Sequence, residues 1–494
     1  MLSILVGHSY FLRLDRKQWR RAKPYPPLAT LQIAAHLRAL GHKVDLFDAM
    51  LADGIREYER QLCRVEPQLV LLYEDNYNFL TKMCLARMRG AACRMIGAAR
   101  RAAARVVVAG SDATDAPEAY LAAGADAVLA GEGIEALELL MERLDARPSI
   151  GGEDLVRGVA GVTAGASGTS PRPARIRIPP ARGELPSPAW ALIDVERYRA
   201  MWRRAHGHFS LNMAASRGCS FRCAWCAKPI WGNRYLQRPA AEVAAEMTRI
   251  KRDLAPDHIW FADDIFGFRV DWVSEFASAL AVSGGSIPFT IQTRADLISE
   301  RMAAALLQAG CREAWLGAES GSQHVLDAMN KGIRVAEIRT ARERLGAAGI
   351  RVGLFIQLGY LGEELSDILA TRELIETTRP DDVGVSVAYP LPGTKFHDLV
   401  SAQLGEKTHW QASGDLAMMF QGTYTSPFYR EVRDLLHEQV RISSEGGLLP
   451  GAAGERAHRS LRRRWARLLA REKSFLSAPP PTVATVPSPA PGFP

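Results

Sequence analysis

The residues best suited to chemistry lie in the stretch Arg217 to Cys226, RGCSFRCAWC, which puts Cys219, Cys223 and Cys226 within eight residues. An apolar run, Phe209 to Ala215, precedes them and reads as a strand. Three thiolates this close suit one soft-metal centre. A zinc site asks for a fourth Cys or His; the next His is His258, and no second Cys pair follows. Ordinary iron–sulfur ligation also uses four thiolates. Three ligands therefore point to a cluster with one iron open to another molecule. A structural metal knot, or three incidental thiols, is the plainer alternative.

Such a loop needs a scaffold, and strands alternate with helices from about Gly207 to Leu399. After the cysteines comes a helix, Ala240 to Leu254, with Val243, Ala244, Met247 and Ile250 on one face. The strands that follow are His258 to Phe261, Pro288 to Gln292, Glu313 to Leu316, Val352 to Leu358 and Val383 to Ala388. With the strand before the cysteines this makes six βα units, and barrels of this kind gather chemistry at the carboxyl ends of their strands.

Those ends carry Asp263 and Asp264, Arg294 with Asp296, Glu319 and Ser320 with Ser322, then Leu358 and Gly359, and finally Tyr389 to Thr394. Asp263 and Asp264 suit an ammonium donor or a turn cap. Arg294 suits a ligand carboxylate or Asp296. Ser320 or Ser322 suits the cap of the next helix, and Gly359 and Gly362 permit close approach. Tyr389 to Thr394 alone is a proline turn.

The cysteine spacing, three residues then two with Trp225 before the last, resembles the radical S-adenosylmethionine (SAM) family, and the later segments match it in order. The resemblance implies a partial (β/α)6 barrel. It implies a [4Fe–4S] cluster on Cys219, Cys223 and Cys226, whose open iron takes the amino and carboxylate groups of SAM. Asp263 and Asp264 then stand where the family has Gly-Gly-Glu, at the SAM amino group. Arg294 would meet the SAM carboxylate, Glu319 the ribose hydroxyls beside Ser320, and the backbone around Leu358 and Gly359 the adenine. An electron donor of flavodoxin or ferredoxin type is implied as a partner.

The first 150 residues alternate in the same way. Strands are expected at Ser3 to Val6, Lys43 to Phe47, Leu69 to Tyr73, Arg105 to Ala109 and Ala127 to Ala130. Helices are expected near Leu28 to Leu40, Ile55 to Val65, Thr81 to Ala103 and Glu135 to Leu144. This predicts a parallel sheet with ligands at its carboxyl edge, where Glu74-Asp75-Asn76, Gly110-Ser111-Asp112 and Gly131-Glu132-Gly133 fall. Gly131-x-Gly133 alone is a weak phosphate signal.

Taken in order, Lys23 to Leu28, Gly41 to Val44, Val106 to Gly110 and Gly124 to Gly133 resemble the cobalamin-binding domain that precedes many radical SAM cores. The resemblance implies a Rossmann-like domain with Gly110, Ser111, Gly131, Glu132 and Gly133 at cobalamin. The Asp-x-His-x-x-Gly motif of other cobalamin domains is absent. Gly7-His8-Ser9 stands there, and His8 reads as a strand-end histidine.

At 494 residues, 47% of them hydrophobic, the chain has room for two or three packed domains. The expected division is α/β throughout: residues 1–150 cobalamin-binding, 151–204 linker, 205–400 radical SAM core, 401–476 a mainly helical extension and 477–494 a disordered Pro-rich tail. A hairpin is expected in the linker, around Val159 to Val162 and Arg175 to Ile178. Seven Cys, three clustered and four scattered, argue against a disulfide framework. With neither a signal peptide nor a membrane-length apolar run, the expectation is a cytoplasmic protein.

The formal charge of +8 is concentrated at one end: Glu455 to Lys473 holds eight Lys/Arg against two Glu. No nucleic-acid partner is expected from a near-neutral body. Arg456 to Leu476 reads as a basic amphipathic helix with Leu461, Trp465, Leu468 and Leu469 on one face. It suits a peripheral membrane contact or packing on the chain's own barrel.

The combined resemblance implies methyl transfer to an unactivated carbon or phosphorus of a small-molecule substrate, through a 5′-deoxyadenosyl radical and methylcobalamin. The alternatives are an anaerobic oxidative cyclase or ring-rearranging enzyme and, from another class, a non-catalytic iron–sulfur/corrinoid sensor. A tRNA methylthiotransferase needs a further N-terminal cysteine set, which Cys63, Cys84 and Cys93 do not obviously supply.

Overall fold

The computed structural model describes residues 1–164, 185–226, 234–445 and 452–477. The expected strand at Arg175 to Ile178 and the Pro-rich tail lie outside them.

The N-terminal sheet contains β1 (Ser3–Gly7), β2 (Lys43–Phe47), β3 (Leu69–Tyr73), β4 (Arg105–Ala109), β5 (Ala127–Leu129) and β6 (Val162–Ala164), in the order β2-β1-β3-β4-β5-β6. The first five are parallel and β6 runs antiparallel to β5. Strand side chains alternate faces. Leu5, Val70, Leu72, Val106 and Val108 therefore meet one helix layer, and Ile4, Val6, Leu69, Leu71 and Val107 the other. Burial on both sides explains the nearly unbroken apolar strands. The order 2-1-3-4-5 reverses direction between β1 and β3, and ligands of such sheets bind at that point, outside the carboxyl ends.

The second sheet is built from β7 (Ser210–Met213), β10 (His258–Phe261), β11 (Phe289–Thr293), β12 (Cys311–Glu319), β13 (Arg351–Leu358) and β14 (Asp382–Val387). All six are parallel and lie in sequence order, which is the open half-barrel expected. Between β7 and β10, β8 (Ser216–Gly218) and β9 (Tyr235–Gln237) pair antiparallel and close the base of the cysteine loop.

One expectation is corrected. The single helix expected from Thr81 to Ala103 is two, Phe79–Lys82 and Ala86–Arg101, broken at Cys84 with φ 52°. The second helix starts where the carbonyls of Trp410 and Gln411 accept the N–H groups of Ala86 and Arg87, which would otherwise be orphaned at a helix start. On its described side Val162 pairs with Leu129 of β5.

The C-terminal extension ties the domains together. Ser413 bonds Asp15 through its N–H (3.1 Å) and its hydroxyl (2.9 Å). His409 lies between Arg89 of the N-terminal domain (3.0 Å) and Tyr389 beyond β14 (3.2 Å). The helix Ala452–Ala470 packs on the helix Ser426–Glu445, with Leu461, Trp465 and Leu468 buried. Its apolar face is therefore spent inside the protein.

Candidate functional site

The cysteine loop sits at the carboxyl end of β7, and three neighbouring segments brace it. Ala224 N–H donates to the Met329 carbonyl (2.8 Å), Asn330 Nδ2 to the Arg222 carbonyl (2.9 Å), and Phe396 N–H to the Ala224 carbonyl (3.0 Å). Cys226 N–H donates to the Cys223 carbonyl (3.3 Å), which turns the chain between these two thiols. Cys219 is buried, while Cys223 and Cys226 are half-buried. Trp225 packs on a satellite apolar cluster with Tyr360 and Phe396.

Arg294, at the end of β11, faces this loop. Its guanidinium lies 3.7 Å from the centre of the Phe221 ring and 3.8 Å from Cys223 Sγ. It also pairs with Asp296 (2.9 and 3.1 Å) and donates to the Lys331 carbonyl (2.9 Å). Of the two partners open to it, Asp296 is the one it holds.

Asp263 is buried at the end of β10. It accepts from Ala215 N–H (3.0 Å) and Ser216 Oγ (2.5 Å), pinning the strand just ahead of the cysteines. Burial pushes its carboxyl up to about 7, against the pull of those bonds. Asp264 instead reaches the other domain, with Lys82 Nζ 2.8 Å from its Oδ1.

Glu319 ends β12 at a register shift, with φ 56°. Lys331 Nζ donates to its Oε1 at 2.8 Å, and both side chains are buried. Its Oε2 is buried without a partner among the described residues. Gly317 leaves room for the pair: a Cβ there would stand 2.7 Å from Lys331 Nζ. Ser320 is fully buried against Thr371 Oγ1 (3.1 Å). Ser322 stands at the start of the helix Gln323–Ala328 but does not cap it, because its hydroxyl goes to Asp367 (2.5 Å). Leu358 ends β13, and the next residue, Gly359, donates its N–H to Glu363 Oε2 (2.5 Å).

The N-terminal sheet turns its carboxyl edge toward this loop. Glu132 Oε1 pairs with Arg217 Nη1 at 2.6 Å, in the strand that leads into the cysteines. Gly131 and Gly133 flank Glu132 in left-handed conformations, and Gly131 N–H donates to Thr114 Oγ1 (2.9 Å). Gly110 packs on Glu74, where a Cβ would come within 2.7 Å. Asp112 is gripped by Arg89 (2.6 Å twice) and Tyr120 (2.6 Å). Burial works against its charge, but Arg89 and Tyr120 outweigh it and hold the carboxyl below its ordinary range. His8 is buried against Asp48 (3.1 Å) and Ala49 N–H (3.1 Å), as a strand-end histidine would be.

The residues present fit the implied groups. At the N-terminal edge, Asn76 Nδ2 and Oδ1, Thr81 Oγ1, Ser111 Oγ and Glu132 Oε2 are buried without partners among the described residues. Buried polar groups are rarely left so, and an amide-bearing corrin would supply bonds to them. Glu319 Oε2 is likewise buried without a partner among the described residues. Among the described residues no three His, Cys, Asp or Glu groups gather for a single metal ion. Sequence reasoning missed Lys82, whose partner Asp264 lies far along the chain, and Lys331, which pairs with Glu319 across a helix, and gave Asn76 no role beyond its place on the sheet edge.

Fold and site together define an open parallel half-barrel with a three-cysteine loop at its mouth and a doubly wound domain set against it. Residues 213–375 match the radical SAM superfamily, and the chain carries a radical SAM domain. The chain is 27% identical over 305 residues to an uncharacterized methyltransferase of Pyrococcus horikoshii, covering 60% of this chain and 63% of that one. It is 27% identical over 287 residues to a tRNA-2-methylthio-N(6)-dimethylallyladenosine synthase of Chlorobium luteolum, covering 53% and 61%. The chain thus spans less than two thirds of each of these curated relatives.

Among solved structures, the radical SAM methyltransferase TsrM of Kitasatospora setae, with cobalamin and a [4Fe–4S] cluster bound, superposes with TM-score 0.65 at 17% identity. The match covers 81% of this chain and 78% of that one. The cobalamin-dependent SAM radical enzyme OxsB, with aqua-cobalamin bound, gives 0.64 at 14% identity over 96% and 71%. These likenesses show the shared two-domain fold. No helix among the described residues is long and apolar enough to cross a membrane.

Proposed function

We propose that this chain is a cobalamin-dependent radical SAM methyltransferase acting on an unactivated carbon or phosphorus of a small molecule. The observation that carries the reading is the approach of the two domains. The orphaned polar edge of the N-terminal sheet is joined to the cysteine loop by Glu132–Arg217 and to the end of β10 by Lys82–Asp264. A cluster on Cys219, Cys223 and Cys226 would supply the electron that cleaves SAM, and a corrinoid the methyl group.

The chain's own residues hold and enclose the parts. Asp263 fixes the strand that feeds the cysteine loop. Arg294 clamps Phe221 and faces Cys223, while Glu319 offers Oε2 to a ligand hydroxyl. The Lys82–Asp264 and Glu132–Arg217 pairs keep the two halves in register, which places reacting groups in line and excludes water.

The test is anaerobic SAM turnover by reconstituted protein with hydroxocobalamin and reductant, beside Cys223→Ala. Both 5′-deoxyadenosine and S-adenosylhomocysteine are expected from the wild type, with deoxyadenosine lost in the variant. Deoxyadenosine alone, across a panel of small-molecule acceptors, would favour cyclisation or rearrangement. Binding of a cluster with no SAM consumed would leave the sensor.

A further inference from the structure

Three consecutive residues after the helix Gln323–Ala328 touch the cysteine loop, Arg294 and Glu319. The Met329 carbonyl holds Ala224, and the Asn330 side chain holds Arg222. The Lys331 carbonyl holds Arg294, and its ammonium holds Glu319. Lys331 is the pivotal member. Its Nζ is buried, 2.8 Å from Glu319 Oε1, and its backbone is tied to the arginine that faces Cys223. Gly317 would not admit a side chain without displacing it. Glu319 has one oxygen committed to Lys331 and the other buried and without a protein partner among the described residues. A carboxylate held on one side by an ammonium presents the opposite oxygen in a fixed direction.

We propose that Lys331 is a positioning residue of the SAM site, aiming Glu319 Oε2 at the vicinal hydroxyls of the bound nucleoside. This rests on the functional reading above and deepens it. It assigns the nucleoside half of SAM to the Glu319–Lys331 pair and leaves the amino-acid half to other groups. Lys331 acts through Glu319, so its removal matters only while Glu319 is an acidic partner.

The experiment uses cluster-reconstituted wild type, Lys331→Met, Lys331→Arg, Glu319→Gln and the double variant Lys331→Met/Glu319→Gln. SAM and 5′-deoxyadenosine affinities are measured by anaerobic equilibrium dialysis, with iron and sulfide counted per chain. Lys331→Met is expected to weaken both ligands by about tenfold or more, the size of a lost charge-assisted hydrogen bond. Lys331→Arg should keep most of the affinity. In the Glu319→Gln background Lys331→Met should add no further loss, and iron content should match wild type throughout.

Three results would overturn the proposal. These are weakening of SAM but not of 5′-deoxyadenosine, full additivity with Glu319→Gln, or loss of iron in step with loss of affinity. If Lys331→Met alone does not fold, the double variant, which buries no unpaired charge, carries the comparison with Glu319→Gln. A wild type with cluster but no SAM affinity would sink the functional reading itself, a separate outcome from any difference among variants.

Discussion

The ammonium of Lys82 stands 2.8 Å from Oδ1 of Asp264, with less than a tenth of either side chain exposed, and the pair crosses from one domain to the other. Breaking a buried ion pair from one side leaves the other charge uncompensated, at a cost of about 3–5 kcal/mol. Lys82→Met is therefore expected to lower stability by about 3 kcal/mol in chemical denaturation, and Lys82→Met/Asp264→Asn to recover part of that loss. An unfolding midpoint for Lys82→Met equal to wild type would show that the pair does not hold the domains.

Asn76 makes a prediction with opposite signs for stability and binding. Its amide is fully buried with neither atom bonded among the described residues. Replacing an unsatisfied polar group by an apolar one of similar shape is neutral or stabilising. Asn76→Leu should therefore match or exceed wild type in thermal stability. If the amide serves a corrin, the same variant should retain less hydroxocobalamin through gel filtration, read by visible absorption. Equal retention by both proteins would remove Asn76 from the site.

These relationships mark the limit of what the chain discloses in one dimension. The strands β2, β3 and β4 are legible to the residue, because burial on both faces demands short apolar runs between turn residues. The six core strands are legible for the same reason, and the cysteine loop by the spacing of its three thiols. The break at Cys84 is not, since carbonyls of Trp410 and Gln411, more than three hundred positions away, decide where the helix begins. Ser322 reads as a cap but is claimed by Asp367. Lys331 carries no signal of its own in the sequence, and only the fold reveals the carboxylate beside it. Local pattern sets elements; partners across the fold set side-chain roles.

Glu363 predicts a pH dependence. It is fully buried behind Gly359, and burial pushes its carboxyl up to about 8, against the pull of the Gly359 N–H. The folded state then holds a proton that the unfolded chain releases near its ordinary, lower value. Its contribution to stability is full below that value and is lost as pH rises through about 8. The slope is at most about 1.4 kcal/mol per pH unit. Denaturation between pH 5 and pH 9 should show stability falling with pH, and Glu363→Gln, whose amide oxygen still accepts from Gly359, should flatten that fall. A rising profile, or one unaltered by Glu363→Gln, would contradict the buried protonated acid.

The C-terminal basic helix separates packing from charge. Trp465 is fully buried, with the Arg372 guanidinium 4.9 Å from its ring centre, and Leu461 and Leu468 lie beside it. Truncating a buried aromatic costs about 3–5 kcal/mol, so Trp465→Ala should destabilise the extension by that order. The extension also carries Ser413 and His409, which clasp the N-terminal domain, so the loss should appear as earlier proteolysis between the domains. Arg462, Arg463 and Arg467 are exposed on the opposite side of this helix, and surface charge changes usually move stability by no more than about 0.5 kcal/mol. Changing all three to Gln should leave the unfolding midpoint near wild type. If vesicles of anionic lipid bind the wild type and lose the triple variant while Trp465 stays buried, the contact is made by charge alone. Binding that instead requires Trp465 would mean that the helix leaves its seat on the protein.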